Sequence, residues 1–112
     1  MRNNLVRMMM AGAVLAALVT ISGVSQAQSA GETLFKTKCA ACHGPDGKGA
    51  VPMGEKLGAR NLSSPEVQSQ SDGQLSDVVT KGKNKMPAYD GKLTKEQIGQ
   101  LVAYIRELGK KH

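Results

Sequence analysis

The spacing of apolar residues predicts a short helix early in the chain. Between residues 31 and 41, Leu34, Phe35 and Cys39 fall on one face, while charged residues fall on the other. This is the pattern of an amphipathic helix with one buried side.

A second amphipathic helix is predicted at the end of the chain. Residues 94–97 (Thr-Lys-Glu-Gln) form a capping box, and Gly109 marks the helix end. Its apolar stripe consists of Ile98, Leu101, Val102, Ile105 and Leu108. We expect this helix to cross the first one near Gly31 and Phe35, because glycine permits two backbones to approach closely.

The segments between these helices are predicted to be short helices separated by loops. Residues 44–49 contain three glycines and a proline, which favour a loop, and residues 55–62 allow one or two helical turns at most. Residues 64–70 begin with Ser-Pro, a typical helix start. Residues 71–82 begin with Ser-Asp and end in glycine, which predicts one more helix.

The first 27 residues have the parts of a secretory signal. Two arginines give a basic start, residues 8–19 are uniformly apolar, and small residues precede a cleavage position after Ala27. The apolar run is short for a membrane span, so we expect cleavage there or, as a second site, after Ala30, and no stable membrane anchor. The predicted units are a signal peptide, 1–27, and a single domain, 28–112.

Composition indicates a small, basic domain with a thin core. The chain has 15 Lys and Arg and 9 Asp and Glu; loss of Arg2 and Arg7 with the signal leaves 13 against 9, about +4. One phenylalanine, two tyrosines and no tryptophan supply little aromatic area. Domains of this size usually need a disulfide, a metal or a cofactor, and an exported chain with so few aromatics is not expected to bind nucleic acid.

The segment 39–43 (Cys-Ala-Ala-Cys-His) has the spacing for covalent attachment of c-type haem. One turn of backbone can present the sulfurs of Cys39 and Cys42 to the two porphyrin vinyl groups and place His43 beneath the iron as a ligand. A zinc site is the less favoured alternative, because zinc normally needs four ligands and the chain's only other histidine is His112. A thioredoxin-like redox pair is also less favoured, because it would require a βαβ setting and the surrounding sequence shows no strand pattern. We therefore predict one covalently attached haem c with its iron.

Met86 is the candidate for the second iron ligand. It precedes Pro87 in a lysine-rich stretch, and proline disfavours a helix that continues through the preceding residue. A thioether on such a loop could bind iron opposite His43. Met53 lies only ten residues after His43 and is expected on the same side of the porphyrin as that histidine. A carbonyl in the loop near Pro52 could accept a hydrogen bond from the free Nδ1–H of His43.

Together these residues resemble the small soluble class I monohaem cytochromes c of bacteria and photosynthetic organisms, which have His/Met ligation. The resemblance covers residues 31–108 and is carried by Gly31-x-x-Leu34-Phe35, Cys39-Ala-Ala-Cys42-His43-Gly44, Asp46-Gly47-x-Gly49, Met86-Pro87-Ala88-Tyr89 and Leu93-Thr94…Leu101-Val102-x-Tyr104-Ile105. It implies an all-α cytochrome c fold, with short helices wrapped around one covalently bound haem and crossed N- and C-terminal helices. It also implies the Pro52 carbonyl contact to His43, and Arg60 is a candidate for contact with a haem propionate.

The function that follows is electron transfer in the periplasm by a monomeric protein that is not an enzyme. Acidic redox partners would dock on a positive rim formed by Lys81, Lys83, Lys85, Lys92 and Lys95. The alternative for these lysines is an ordinary solvated surface. The alternative function is a cytochrome c subunit bound tightly to a periplasmic dehydrogenase. A haem enzyme or gas sensor would require an open coordination position on the iron. Met86 argues against this class, because it would fill that position.

Overall fold

The structure, a computed structural model, describes residues 22–111, and these form six α-helices joined by turns. The helices are α1 (Ser22–Lys38), α2 (Ala40–His43), α3 (Pro52–Leu57), α4 (Pro65–Gln68), α5 (Asp72–Lys81) and α6 (Lys95–Gly109). Extended pairing within this part of the chain is confined to two isolated bridges, Lys83–Met86 and Asp90–Leu93. The all-α prediction is confirmed.

The predicted helix starts at the serine and threonine caps are confirmed. The Ser64 hydroxyl accepts a hydrogen bond from the Val67 amide at the start of α4. Complete capping boxes begin α5 and α6, formed by Ser71 with Gln74 and by Thr94 with Gln97. In each box, side-chain oxygens satisfy amides that have no partner within the helix.

The first and third helices differ from their predicted bounds. α1 already includes Ser22 and ends at Lys38, and Cys39 breaks it from α2, so the motif 39–43 occupies its own turn. α3 covers Pro52–Leu57 instead of part of 55–62, because Pro52 suits the first helical position and Gly58 ends the helix with a φ of 72°. The predicted cleavage positions fall inside α1, and residues 1–21 lie outside the described residues, so cleavage stays a prediction.

The first and last helices pack directly against each other, as predicted. A Cβ atom at Gly31 would overlap the carbonyl oxygen of Gln100, so a side chain larger than hydrogen does not fit at this crossing. One turn later, the rings of Phe35 and Tyr104 pack at 5.2 Å between centroids, tilted by 49°. Phe35 is fully buried, so this contact anchors α1 on α6.

The core of the described residues has two adjoining clusters that share α6. The first contains Phe35, Val79, Leu93, Ile98, Leu101, Tyr104 and Leu108. The second contains Val67, Leu75, Val102 and Ile105. No helix between residues 22 and 111 has the length and apolarity needed to cross a membrane.

Arg106 connects α6 to the turn between α4 and α5. Its guanidinium donates hydrogen bonds to the carbonyl oxygens of Gln68 and Gln70 and to a carboxylate oxygen of Asp72. Gln68 also donates from its side-chain amide to the Ile105 carbonyl at 3.0 Å. Because a guanidinium has several donors in a fixed plane, this one residue binds acceptors on three residues between the end of α4 and the start of α5.

Candidate haem site

The motif residues and Met86 line one cleft of the molecule. Cys39, Cys42 and His43 form part of its wall, and Met86 reaches the same cleft from a point 43 residues later in the chain. Much of the remaining wall is apolar: Phe35, Leu62, Val67, Leu75, Val79, Leu101 and Ile105. The cleft therefore combines two thiols, an imidazole and a thioether with a wall suited to a flat apolar group.

Two hydrogen bonds orient His43. Its Nδ1 lies 3.1 Å from the carbonyl oxygen of Arg60, and its own carbonyl accepts a hydrogen bond from the Gly49 amide at 2.6 Å. A carbonyl oxygen can only accept, so the first bond requires Nδ1 to be the donor. Nε2 is then the ring nitrogen that remains for binding a metal.

The predicted hydrogen bond from His43 to the Pro52 carbonyl is replaced in the structure by the bond to Arg60. Pro52 is exposed and begins α3, and helical carbonyls point along the helix axis toward later residues of their own helix. Arg60 instead follows Ala59, whose carbonyl oxygen would lie 2.6 Å from a Cβ atom at Gly49. The close backbone contact at Gly49 thus brings the segment after α3 against the histidine.

Neither cysteine is in a disulfide, and each is half-buried. Burial, and to a smaller extent the neighbouring Cys42, raises the pKa of the Cys39 thiol to about 11. Before any haem is attached, this thiol therefore keeps its proton at neutral pH. Among the described residues, no three His, Cys, Asp or Glu side chains form a group that could hold a metal ion.

Met86 lies at the end of a tight turn, as its proline neighbour predicts. The amide of Lys83 donates to the Met86 carbonyl at 3.2 Å, and the Met86 amide donates to the Lys83 carbonyl at 2.9 Å. Asn84 has a φ of 55° within this turn, a conformation that asparagine tolerates better than most residues. A Cβ atom at Gly82 would lie 2.6 Å from the Met86 carbonyl oxygen, so the turn is packed against the end of α5.

Basic residues surround the cleft, but they are not the complete set expected. Lys83 and Lys85 line it, together with Lys38 and Arg60, whereas the other predicted lysines do not. Those others, Lys81, Lys92 and Lys95, are exposed but do not line the cleft. Lys38 was missed because it lies 48 residues before Met86 in sequence, and only the fold brings the two to one cleft.

Tyr89 lines the cleft, whereas Met53 does not. Met53 is 49 % exposed and is not part of the cleft wall described here. Tyr89 is part of that wall; in the sequence it is the last residue of the Met86-Pro87-Ala88-Tyr89 stretch that contributes to the family resemblance. The residues present therefore fit a c-type haem, and Met86, but not Met53, is among those that line the cleft.

Comparison with known proteins identifies the family. Residues 26–105 match the family model described as "Cytochrome C oxidase, cbb3-type, subunit III". The chain is 31 % identical to cytochrome c6 of Limnospira maxima, over 74 % of this chain and 94 % of that protein. It is 32 % identical to the cbb3-type cytochrome c oxidase subunit FixP of Bradyrhizobium diazoefficiens, over 85 % of this chain but only 31 % of that protein. The chain thus spans about a third of FixP.

A solved structure agrees with this assignment. The KustC0563 c-type cytochrome superposes with a TM-score of 0.65 at 34 % sequence identity, covering 70 % of this chain and 95 % of that one. The apolar cleft, the motif at 39–43 and these matches lead to one conclusion. The chain belongs to the small monohaem class I cytochromes c, whose members carry one covalently bound haem c.

Proposed function

We propose that this protein transfers electrons between redox proteins of the periplasm, with Cys39 and Cys42 attached to the haem and His43 and Met86 as axial ligands of its iron. The observation that carries the proposal is the convergence of these four side chains on one cleft. The haem supplies the redox chemistry, since its iron cycles between Fe(III) and Fe(II). Export is supported by the signal-like pattern of residues 1–27.

The protein's contribution is to hold both ligands in place in either oxidation state. His43 is oriented by the Arg60 carbonyl and the Gly49 amide, and Met86 by the two backbone hydrogen bonds of its turn. Ligands that are fixed in advance move little when the charge of the site changes. A thioether ligand and an apolar surrounding both favour the reduced, less charged state.

Positive charge near the cleft supports docking of an acidic partner. Lys38, Lys83 and Lys85 line the cleft, and no Asp or Glu is among the described residues that line it. Opposite charges steer association. Lys81, Lys92 and Lys95 extend the basic surface of the chain. Arg60 also lines the cleft, with only a long 3.8 Å ion pair to the exposed Glu66, so its guanidinium remains a candidate partner for a haem propionate.

A second candidate function is supported by the family match. The family model that matches residues 26–105 describes an oxidase subunit. The chain is therefore also suited to permanent association with a larger redox enzyme. One such alternative, considered from the sequence, is a subunit of a periplasmic dehydrogenase. Size-exclusion chromatography of a native extract, followed by haem staining, separates the two. Elution at the position of the purified chain supports a free carrier, and elution with a large complex supports a subunit.

Removal of both thiols tests the haem attachment. The variant Cys39→Ala with Cys42→Ala leaves no cysteine in the chain, so all haem should be released by acid-acetone extraction, whereas wild type should retain it. Each single variant should still retain haem through one thioether. Haem that resists extraction from the double variant would contradict the proposed attachment.

A further inference from the structure

The hydroxyl of Tyr89 joins the two parts of the chain that supply the proposed iron ligands. It donates a hydrogen bond of 3.0 Å to the backbone carbonyl of Lys38. Lys38 is the last residue of α1 and directly precedes Cys39, while Tyr89 follows Met86 by three residues. The bond spans 51 residues of sequence. It directly connects the residue before the attachment motif to the segment that carries Met86.

The backbone of Tyr89 is fixed independently of its hydroxyl. Its amide donates to the Val79 carbonyl at 3.0 Å, and its carbonyl accepts hydrogen bonds from the amides of Lys92 and Leu93. Tyr89 and Met86 both line the cleft, and the Lys92 ammonium lies 5.9 Å from the centroid of the Tyr89 ring. The ring and backbone would therefore remain in place without the oxygen, so the hydroxyl adds a separable contact.

The position of this contact indicates what it does. The Lys38 carbonyl is at the end of α1, where helical carbonyls lack partners from their own helix. A donor from the methionine loop satisfies it and at the same time ties that loop to the turn that begins at Cys39. A movement that carries Met86 and Tyr89 away from the cleft together would break this bond and the bond from the Tyr89 amide to Val79.

We propose that Tyr89 is a positioning residue: its hydrogen bond to the Lys38 carbonyl holds the Met86 loop closed over the haem. The inference rests on the proposed function, since it requires Met86 to be an iron ligand. Loss of one hydrogen bond of this kind changes an opening equilibrium by about five-fold. The bond thus opposes replacement of Met86 by a competing ligand.

The test is imidazole binding to the ferric holoprotein, with Tyr89→Phe compared to wild type. Tyr89→Phe keeps the ring and removes the donor, so imidazole should bind about five-fold more tightly to this variant than to wild type. Tyr104→Phe is the matched control, because it makes the same chemical change at a ring packed on Phe35. That variant should bind imidazole as wild type does.

The outcomes separate this inference from the proposed function. A wild-type ferric protein without the near-red band of sulfur ligation would overturn the Met86 assignment itself. A wild type with that band, and a Tyr89→Phe variant with unchanged imidazole affinity, would overturn only the role of Tyr89. Failure of Tyr89→Phe to incorporate haem would also overturn it, since the hydroxyl would then serve assembly rather than loop closure.

Discussion

Single backbone atoms determine how the functional side chains of this protein are presented. The Arg60 carbonyl orients the His43 ring, the Lys38 carbonyl holds the Tyr89 hydroxyl, and the Gly82 backbone contacts the Met86 carbonyl. The sequence motif identifies the chemical groups, but these acceptors are backbone atoms that any residue carries. The roles of the Arg60 and Lys38 carbonyls therefore cannot be read from residue type and become visible only in the fold, whereas the close contact at Gly82 does require a glycine.

The raised pKa of Tyr104 predicts how the stability of the protein changes at alkaline pH. Burial, and then the charge of Glu32, raises the pKa of its phenol above the ordinary value of 10.0. Above about pH 10 the unfolded phenol loses its proton while the folded phenol retains it, so stability should fall as pH rises through this range. Below that pH the group should contribute no pH dependence.

Guanidinium unfolding of the holoprotein at pH 9 and pH 11 measures this effect. The fall in unfolding free energy should be smaller in Tyr104→Phe than in wild type, because the phenol that titrates is absent. Lysines also titrate in this pH range, but their effect on the unfolding free energy is common to both proteins and cancels in the comparison. Equal falls would contradict a role for Tyr104.

The helices illustrate which structural features were predictable from sequence. Caps at Ser64, Ser71 and Thr94 were predicted because a cap involves only the residues within one turn. The break at Cys39 was missed, since apolar periodicity runs through it. The Arg106 contacts were also missed, because the acceptors lie 34 to 38 residues away and their positions depend on the assembled helices.

The crossing of α1 and α6 yields a prediction with an internal control. A Cβ atom at Gly31 would overlap the Gln100 carbonyl, whereas one at Gly99 would meet nothing within 4 Å. Gly31→Ala should therefore destabilise the holoprotein by about 1–3 kcal/mol through overpacking. Gly99→Ala should stabilise α6 by about 0.5–1 kcal/mol through helix propensity.

Chemical unfolding of the two variants, followed by the haem absorbance, measures both changes. Equal effects of the two substitutions, in either direction, would contradict the close approach at Gly31. The comparison is informative because both glycines lie within helices, so their intrinsic propensities change in the same direction.

At the scale of the whole molecule, the cleft is lined by side chains of the small apolar core and by several lysines. α6 contributes to both apolar clusters, and side chains from each cluster form the cleft wall. The haem is thus expected to complete the core as well as to carry the electron. The lysines that line the cleft place positive charge where the proposed partner would approach.

The charge distribution predicts the salt dependence of electron transfer. Oxidation of the reduced protein by ferricyanide, an anion, should slow as ionic strength rises, because salt screens the attraction. Lys83→Gln with Lys85→Gln should lower the rate at low salt and flatten the salt dependence. Lys48→Gln with Lys56→Gln is the control of equal charge, since both lysines are exposed and absent from the cleft wall. Equal behaviour of the two double variants would contradict docking at the cleft.

The central claim, that the iron is held between His43 and Met86, is tested most directly by the near-red absorption band of the ferric protein. Met86→Ala should abolish this sulfur-ligation band and lower the reduction potential, because the thioether favours the reduced iron. Met53→Ala, at a methionine that is 49 % exposed, should retain both properties. A Met86→Ala protein with an unchanged band and potential, or a Met53→Ala protein that has lost them, would contradict the account.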